Sequence, residues 1–292
     1  MNIITFDIEE WAVAKAGGYG SLEKYAEYNN YLNRILEVLD EKDIKATFFC
    51  TGLMAQDFPQ VVKLIRNRGH EIGCHSHLHS WMNKMTEKEA QNDTHKAVDS
   101  LEQCIGEKVL SYRAPAFSIG EENKWMFEVL VKEGITRDAS VFPASRALGG
   151  FPLFGCQEPC IVEYAGVSIK EYPVGLTSVM GKKIAYSGGG YFRFFPMNFV
   201  KSRMNNSNYC MCYFHIGDLL PETKGVYSRK DYETYFKEPG TLKNRYTRFF
   251  KANFGKKNAW NKLDILIREN DFEGLGEAEK AIDWNFVPLI KF

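Results

Sequence analysis

Ile3, Ile4 and Phe6 cluster within residues 2–6, which predicts a buried strand near the start of the chain. Ser21 then stands ahead of Leu22, Tyr25, Tyr31, Leu32, Ile35, Leu36 and Leu39, which recur at helical spacing behind an N-cap. The alternation continues with a strand over 46–50, a helix over 59–68 stopped by Gly69, and a strand over 71–74. A capping box, Thr86 to Glu89, opens the next helix and Gly106 closes it. A strand over 109–112, a helix over 122–133 ended by Gly134 and a strand over 135–136 follow.

Strand and helix at this rhythm argue for a parallel α/β sheet. Between Gly149 and Gly190 the rhythm breaks into Gly, Pro and short strands at 161–164 and 167–172, which predicts a β-rich insertion near one rim. A helix near 196–204 and a strand over 209–214 resume the pattern, and after about Lys224 the chain is polar, aromatic and mostly helical. With no internal repeat, low-complexity tract or linker, one domain is expected over 1–292, with a core to about residue 220 and a helical extension over 221–292.

Charge narrows the partners. Lys+Arg and Asp+Glu each total 37, so no basic excess recommends a nucleic acid or an anionic membrane. No apolar stretch approaches the roughly 18 residues of a membrane span. The first residues carry no basic, apolar or cleavage region of a leader, and seven cysteines make an odd set without framework spacing. A cytoplasmic chain with reduced thiols is expected, and self-association is permitted without being required.

Chemistry concentrates where the predicted strands end. Three of the six histidines fall in His75-Ser76-His77-Leu78-His79. His75 and His79, four apart, sit about 5–6 Å from one another if the backbone turns helically, close enough to share one ion. Asp7, His75, Arg113, Asp138 and His215 all stand at carboxyl ends of strands, the face on which parallel α/β proteins build active sites. Strand alternation puts Asp7 and Glu9 on one face, so one can complete a His₂-carboxylate ion site and the other can deprotonate water. Arg113 suits the orientation of the base, and Asp138 the support of His215, which would protonate a leaving amine. That set performs metal-assisted hydrolysis of an amide.

The ordered segments Thr5-Phe6-Asp7, Ala46-Thr47-Phe48-Phe49, Gly69-His70-Glu71-Ile72-Gly73, His75-Ser76-x-x-His79, Arg113-Ala114-Pro115, Asp138-Ala139-Ser140 and Tyr213-Phe214-His215 carry a family resemblance. The chain resembles the polysaccharide deacetylases (NodB-homology, carbohydrate esterase family 4) over residues 1 to about 220. Ser187-Gly188-Gly189-Gly190-Tyr191-Phe192-Arg193 with Pro196 resembles a branch associated with bacterial exopolysaccharide and capsule synthesis. The resemblance implies a distorted (β/α) barrel of about seven strands and metal-dependent removal of acetyl from an N-acetylated sugar. It implies Asp7 as catalytic base, His75 and His79 as metal ligands, Arg113 steadying the base, and His215 as the acid tuned by Asp138.

Where the family commonly has adjacent aspartates, this chain has Asp7-Ile8, so the third ligand is assigned to Glu9, with Glu10 as the alternative. Zinc is the first expectation for the ion, with iron, cobalt or nickel also accepted by such donors. A backbone N–H at Ala116 or Phe117 is the candidate oxyanion donor. Trp11 and Tyr191 are the candidate sugar-stacking residues. Other readings of the motif are an allantoinase-type hydrolase of a small cyclic amide and a catalytically silent carbohydrate-binding protein. His77 is expected to face away from the ion, His70 to be packed and hydrogen-bonded, and His95 to lie on the surface.

Overall fold

The computed structural model describes residues 1–146, 149–221, 225–236 and 238–292; Lys224, where the sequence reading starts its tail, lies outside them. Eleven strands are present among the described residues: β1 (Asn2–Ile8), β2 (Thr47–Cys50), β3 (Glu71–Cys74), β4 (Ser111–Tyr112), β5 (Arg137–Asp138), β6 (Cys160–Tyr164), β7 (Val167–Glu171), β8 (Leu176–Val179), β9 (Lys182–Ala185), β10 (Cys210–His215) and β11 (Leu289–Lys291). Nine of them form one sheet in the order β10-β1-β2-β3-β4-β5-β7-β6-β11. Every pairing from β10 to β7 is parallel, which makes a run of seven parallel strands. The chain ends of the two outer strands meet where Tyr209 Oη donates to Pro173 O at 2.8 Å, so the array curls toward closure. The distorted barrel of about seven strands is therefore observed.

Helices form where the periodicity places them. Leu22–Glu41 begins with Ser21 Oγ accepting from Lys24 N, and it buries Leu32, Ile35, Leu36 and Leu39. Glu87–Ile105 opens on a complete Thr86–Glu89 capping box and stops at Gly106, whose φ of 75° lies in the left-handed region that glycine enters without a Cβ penalty. These helices cover the outer face of β1 to β4, whose Ile4, Phe6, Ile8, Phe48, Ile72 and Cys74 belong to the main core.

The stretch from 149 to 190 is β-rich as expected, and it is more than an appendage. Its β6–β7 hairpin joins the main sheet, with β7 parallel to β5, and only the β8–β9 hairpin stands apart. Both Ile169 and Glu171 of β7 are buried, so this strand completes the barrel wall. At the amino-terminal end of the barrel, Glu71 of β3 accepts from Thr47, Ser111, Arg137 and the Gly276 N–H, while Arg137 also pairs with Glu279. The helix Leu275–Ala281 is thereby fixed across the bottom of the barrel. The carboxyl ends of β1, β3, β4 and β10 remain on the opposite face, where the chemistry lies.

Candidate metal and hydrolytic site

At the end of β1 the chain runs straight into the helix Glu10–Ala16, and Glu9 is its N-cap. Asp7 and Glu9 therefore project to the same side, as alternation requires. Glu9 Oε2 lies 2.5 Å from His79 Nε2 and 3.4 Å from His75 Nε2, and the ligand atoms of the three residues all fall within 4.8 Å of one another. His75 follows β3 directly, and its Nδ1 is 2.7 Å from the Arg113 carbonyl. A carbonyl only accepts, so Nδ1 carries the hydrogen and Nε2 is left with a free lone pair aimed at Glu9. His75 Nε2 is buried with no partner closer than Glu9 Oε2 at 3.4 Å. Buried polar atoms are rarely left so. Two imidazole nitrogens and a carboxylate oxygen at this separation fit a divalent cation.

The His75–His79 turn achieves this through unusual backbone. Ser76 and His79 have φ values of 64° and 57°, left-handed at non-glycine positions. Asp93, buried on the helix Glu87–Ile105, accepts from His77 N at 2.9 Å and Leu78 N at 3.4 Å, and Ser76 Oγ accepts from Ser80 N. His77 packs inward against Gly52, where an added Cβ would sit 2.2 Å from its Nδ1. It does face away from the ion site, as expected. His70 accepts from Ala46 N, and burial with the nearby Lys45 charge lowers its pKa to about 4. His95 is exposed and pairs with Glu133.

Arg113 leaves β4 fully buried and brings two earlier segments and one later one together. Its Nη1 donates to Asp7 Oδ1 at 2.9 Å and to Thr5 Oγ1 at 2.7 Å, its Nε donates to Ala139 O, and its guanidinium stacks on Phe49. Asp7 Oδ2 is left facing His215 Nε2 at 3.6 Å. Glu9 Oε1 is 3.9 Å from the same nitrogen. Burial opposes charge on His215, but a hydrogen bond to Asp218 and the charges of Asp7 and Glu9 outweigh it and raise its pKa to about 10. A cation on Glu9 cancels part of that field.

Three sequence expectations are corrected. Asp138 does not support His215. It lies on β5 opposite Glu171 of β7, accepts from Ser140 Oγ at 2.5 Å, and both carboxyls are fully buried. Burial raises Asp138 to about 6, and burial with the Asp138 charge pushes Glu171 far higher, so the two hold a proton between them. The partner of His215 is Asp218, whose Oδ2 lies 3.1 Å from Nδ1, with Arg193 Nη2 on its other oxygen at 3.4 Å. The signal was present in His215-Ile-Gly-Asp218, an N-cap with an acidic N3. Glu10, the alternative ligand, turns away to accept from Gly217 N, and burial with the neighbouring Glu9 charge raises its pKa to about 7. Trp11 is buried against Tyr28, with its Nε1 donating to Asn29 Oδ1, so its ring offers no face to a sugar. Tyr191 is half-buried among Phe117, Tyr213 and their neighbours, beside the turn that follows Arg113.

This arrangement coincides with what the sequence is similar to. A family model described as polysaccharide deacetylase matches residues 3–136, the segment that supplies Asp7, Glu9, His75, His79 and Arg113. Residues 139–277, which supply His215 and Asp218, match a domain of unknown function, DUF3473. A peptidoglycan-N-acetylglucosamine deacetylase of Bacillus cereus is 33% identical over 127 residues, covering 41% of this chain and 46% of that protein. A peptidoglycan-N-acetylmuramic acid deacetylase of Bacillus subtilis is 29% identical over 94 residues, 32% of this chain and 36% of that protein. The chain thus spans less than half the length of these curated relatives. In three dimensions it superposes on a Mycobacterium smegmatis protein provisionally assigned as a polysaccharide deacetylase, with a TM-score of 0.65 at 17% identity over 100% of this chain and 92% of that one. A pseudoenzyme from Bacillus anthracis, itself described as of the CE4 family, superposes with a TM-score of 0.50 at 13% identity, over 100% of this chain and 69% of that one. The fold occurs with and without activity, so the residues at the site must decide.

Proposed function

We propose that this chain removes the acetyl group from an N-acetylated sugar unit of a surface glycan by metal-assisted hydrolysis. One observation carries the proposal: a His₂-carboxylate cluster, an arginine-clamped aspartate and a carboxylate-anchored histidine meet at one end of the barrel, the histidine Nε2 lying 3.6 Å from Asp7 and 3.9 Å from Glu9 of the cluster. Glu9, His75 and His79 would hold the divalent cation, zinc first, with iron, cobalt or nickel accepted by the same donors. Such a cation supplies Lewis acidity and brings the pKa of water down from 15.7 toward about 7.

The protein's own groups divide the remaining work. Arg113 occupies Asp7 Oδ1, so Oδ2 is the oxygen that takes the proton of the attacking water. His215, held through Nδ1 on Asp218, presents Nε2 toward Asp7 and delivers the proton to the departing sugar amine as the C–N bond breaks. Phe117 N donates to Ala114 O, so of the two amides after Pro115 the Ala116 N–H is the one assigned to a developing oxyanion. The relatives' names favour a glycan over a lone monosaccharide. The Ser187–Arg193 stretch supports the surface-polysaccharide role, and seven free thiols support a reducing, cytoplasmic setting.

Acetate release from N-acetylhexosamine oligomers, measured beside metal content, tests the reading. Asp7→Asn is expected to lose at least 10³-fold in turnover with metal content unchanged, whereas His79→Ala loses both. Wild-type turnover in either variant refutes the assigned roles. Ring opening of allantoin without acetate release, or sugar binding without metal or turnover, would replace the proposal with the corresponding alternative.

A further inference from the structure

The zero net charge of the chain conceals a local segregation. The helix Leu242–Asn253, Leu-Lys-Asn-Arg-Tyr-Thr-Arg-Phe-Phe-Lys-Ala-Asn, carries four basic residues and no acidic one, and none of its residues is buried. Leu242, Tyr246 and Phe250 recur every four positions, so they form one stripe. They are 65%, 57% and 57% exposed, and the stripe continues through Phe254 at 41% and Phe194 at 58%. Ring contacts of 5.2 Å from Phe250 to Phe254 and 5.3 Å from Phe254 to Phe194 make it continuous. At about 200 Å² per aromatic side chain, the exposed fractions add to on the order of 500 Å², the size at which apolar patches are often functional.

The charges around the stripe say what covers it. Lys243 and Lys251 lie on the exposed side of the helix, Lys257 follows just beyond it, and none of the three forms an ion pair among the described residues. An apolar stripe flanked by unpaired lysines matches the boundary of a bilayer whose headgroups are anionic. A second copy would bring the same lysines against each other, and a neutral glycan offers them no counter-charge. No helix among the described residues is long and apolar enough to cross a membrane, so the contact lies in the interface plane.

We propose that the Leu242–Asn253 helix, with Phe254 and Phe194, docks this chain on an anionic lipid surface. The docked face is joined rigidly to the site. Arg193 donates to the carbonyls of Lys251, Ala252 and Phe254 at the end of this helix and also reaches Asp218, which holds His215. Docking therefore sets the rim of the site at a fixed distance from the bilayer, where a glycan carried on a lipid would be presented.

Flotation of the full chain with vesicles, run without any glycan, tests this independently of the deacetylase reading. Vesicles of phosphatidylcholine with about 30% phosphatidylglycerol are expected to bind it and pure phosphatidylcholine vesicles to leave it free, with binding weakened by salt. Neutralising Lys243, Lys251 and Lys257 together to Ser is expected to weaken binding about 100-fold, at roughly fivefold per charge. The triple change Leu242→Ser, Tyr246→Ser, Phe250→Ser should abolish it while leaving the circular dichroism melt unchanged. Absence of binding to anionic vesicles, equal binding to both compositions, or a concentration-dependent dimer in light scattering that the serine variant removes would overturn the proposal. So would retardation of the wild type, but not of the serine variant, by soluble neutral glycan.

Discussion

Replacing Asp93 with Ala removes the support of the His75–His79 turn without touching a ligand. Ser76 and His79 are held in left-handed backbone, which costs a residue with a Cβ roughly 1–2 kcal/mol each, or about 2–4 kcal/mol for the turn. Asp93 offsets this with two hydrogen bonds from its buried carboxylate, each of a kind worth about 1.5–3 kcal/mol, the 3.4 Å one at Leu78 being the weaker. Losing both leaves the turn's strain of at least about 2 kcal/mol unopposed, so the ligating arrangement becomes a minor local state. The apparent metal dissociation constant then rises by the inverse of that population, about 30-fold. Competition against a chromophoric zinc chelator reads this directly, and urea unfolding reads the accompanying loss of stability. Asp93→Asn keeps one acceptor for His77 N and should lose only about fivefold. If Asp93→Ala bound zinc as the wild type does, the turn would not depend on this carboxylate and the reasoning would fail.

Two further outcomes follow from the buried titratable groups. His70 has a folded pKa of about 4 against 6.5 unfolded, so between those values the unfolded chain binds a proton that the folded one does not, and stability falls with falling pH. The loss is about 2 kcal/mol from pH 7 to pH 5, and urea denaturation of His70→Gln should show a shallower fall; an identical fall in both proteins would rule His70 out as the cause. Asp218→Asn should lower kcat at least 100-fold with KM little changed, because Nδ1 of His215 loses its anionic partner, whereas Asp138→Asn should leave the pH profile of kcat in place. The reverse ranking in steady-state assays would restore Asp138 to the role that the sequence assigned to it.

The first half of the fold was legible because local signals and tertiary needs agree there. Ser21, the Thr86–Glu89 box and Gly106 act within one or two turns, and their helices stand within a few residues of the expected bounds. Strand boundaries drifted more where strands are short: the fifth was expected at 135–136 and forms at Arg137–Asp138, because pairing with β4 and β7 decides it. The role of β7 was illegible for a related reason. Period-two alternation predicts a strand over 167–172, but nothing in that stretch states that its neighbour is β5 and that it continues a parallel wall.

Residues placed by their position at a strand end come together as the sequence expects, while a pairing chosen by competition among neighbours differs from it. Asp7, Glu9, His75, His79, Arg113 and His215 converge because parallel strands in register deliver their carboxyl ends to one face. The partner of His215 required weighing two aspartates. Asp138 is committed by a carboxyl directly across from it on β7, a like charge that makes a shared proton cheaper than an exposed approach to an imidazole. Asp218 reaches His215 within a single turn and carries Arg193 behind it, which stabilises its charge without competing for the same oxygen. A residue three positions away thus holds the position that a motif assigns to one seventy-seven positions back, and through Arg193 it links the proposed acid to the helix that we propose to dock on lipid. If that coupling is mechanical, anionic vesicles are expected to raise kcat of the wild type but not of the Arg193→Met variant, although flotation shows both bound alike; an equal response in both would leave docking and catalysis unlinked.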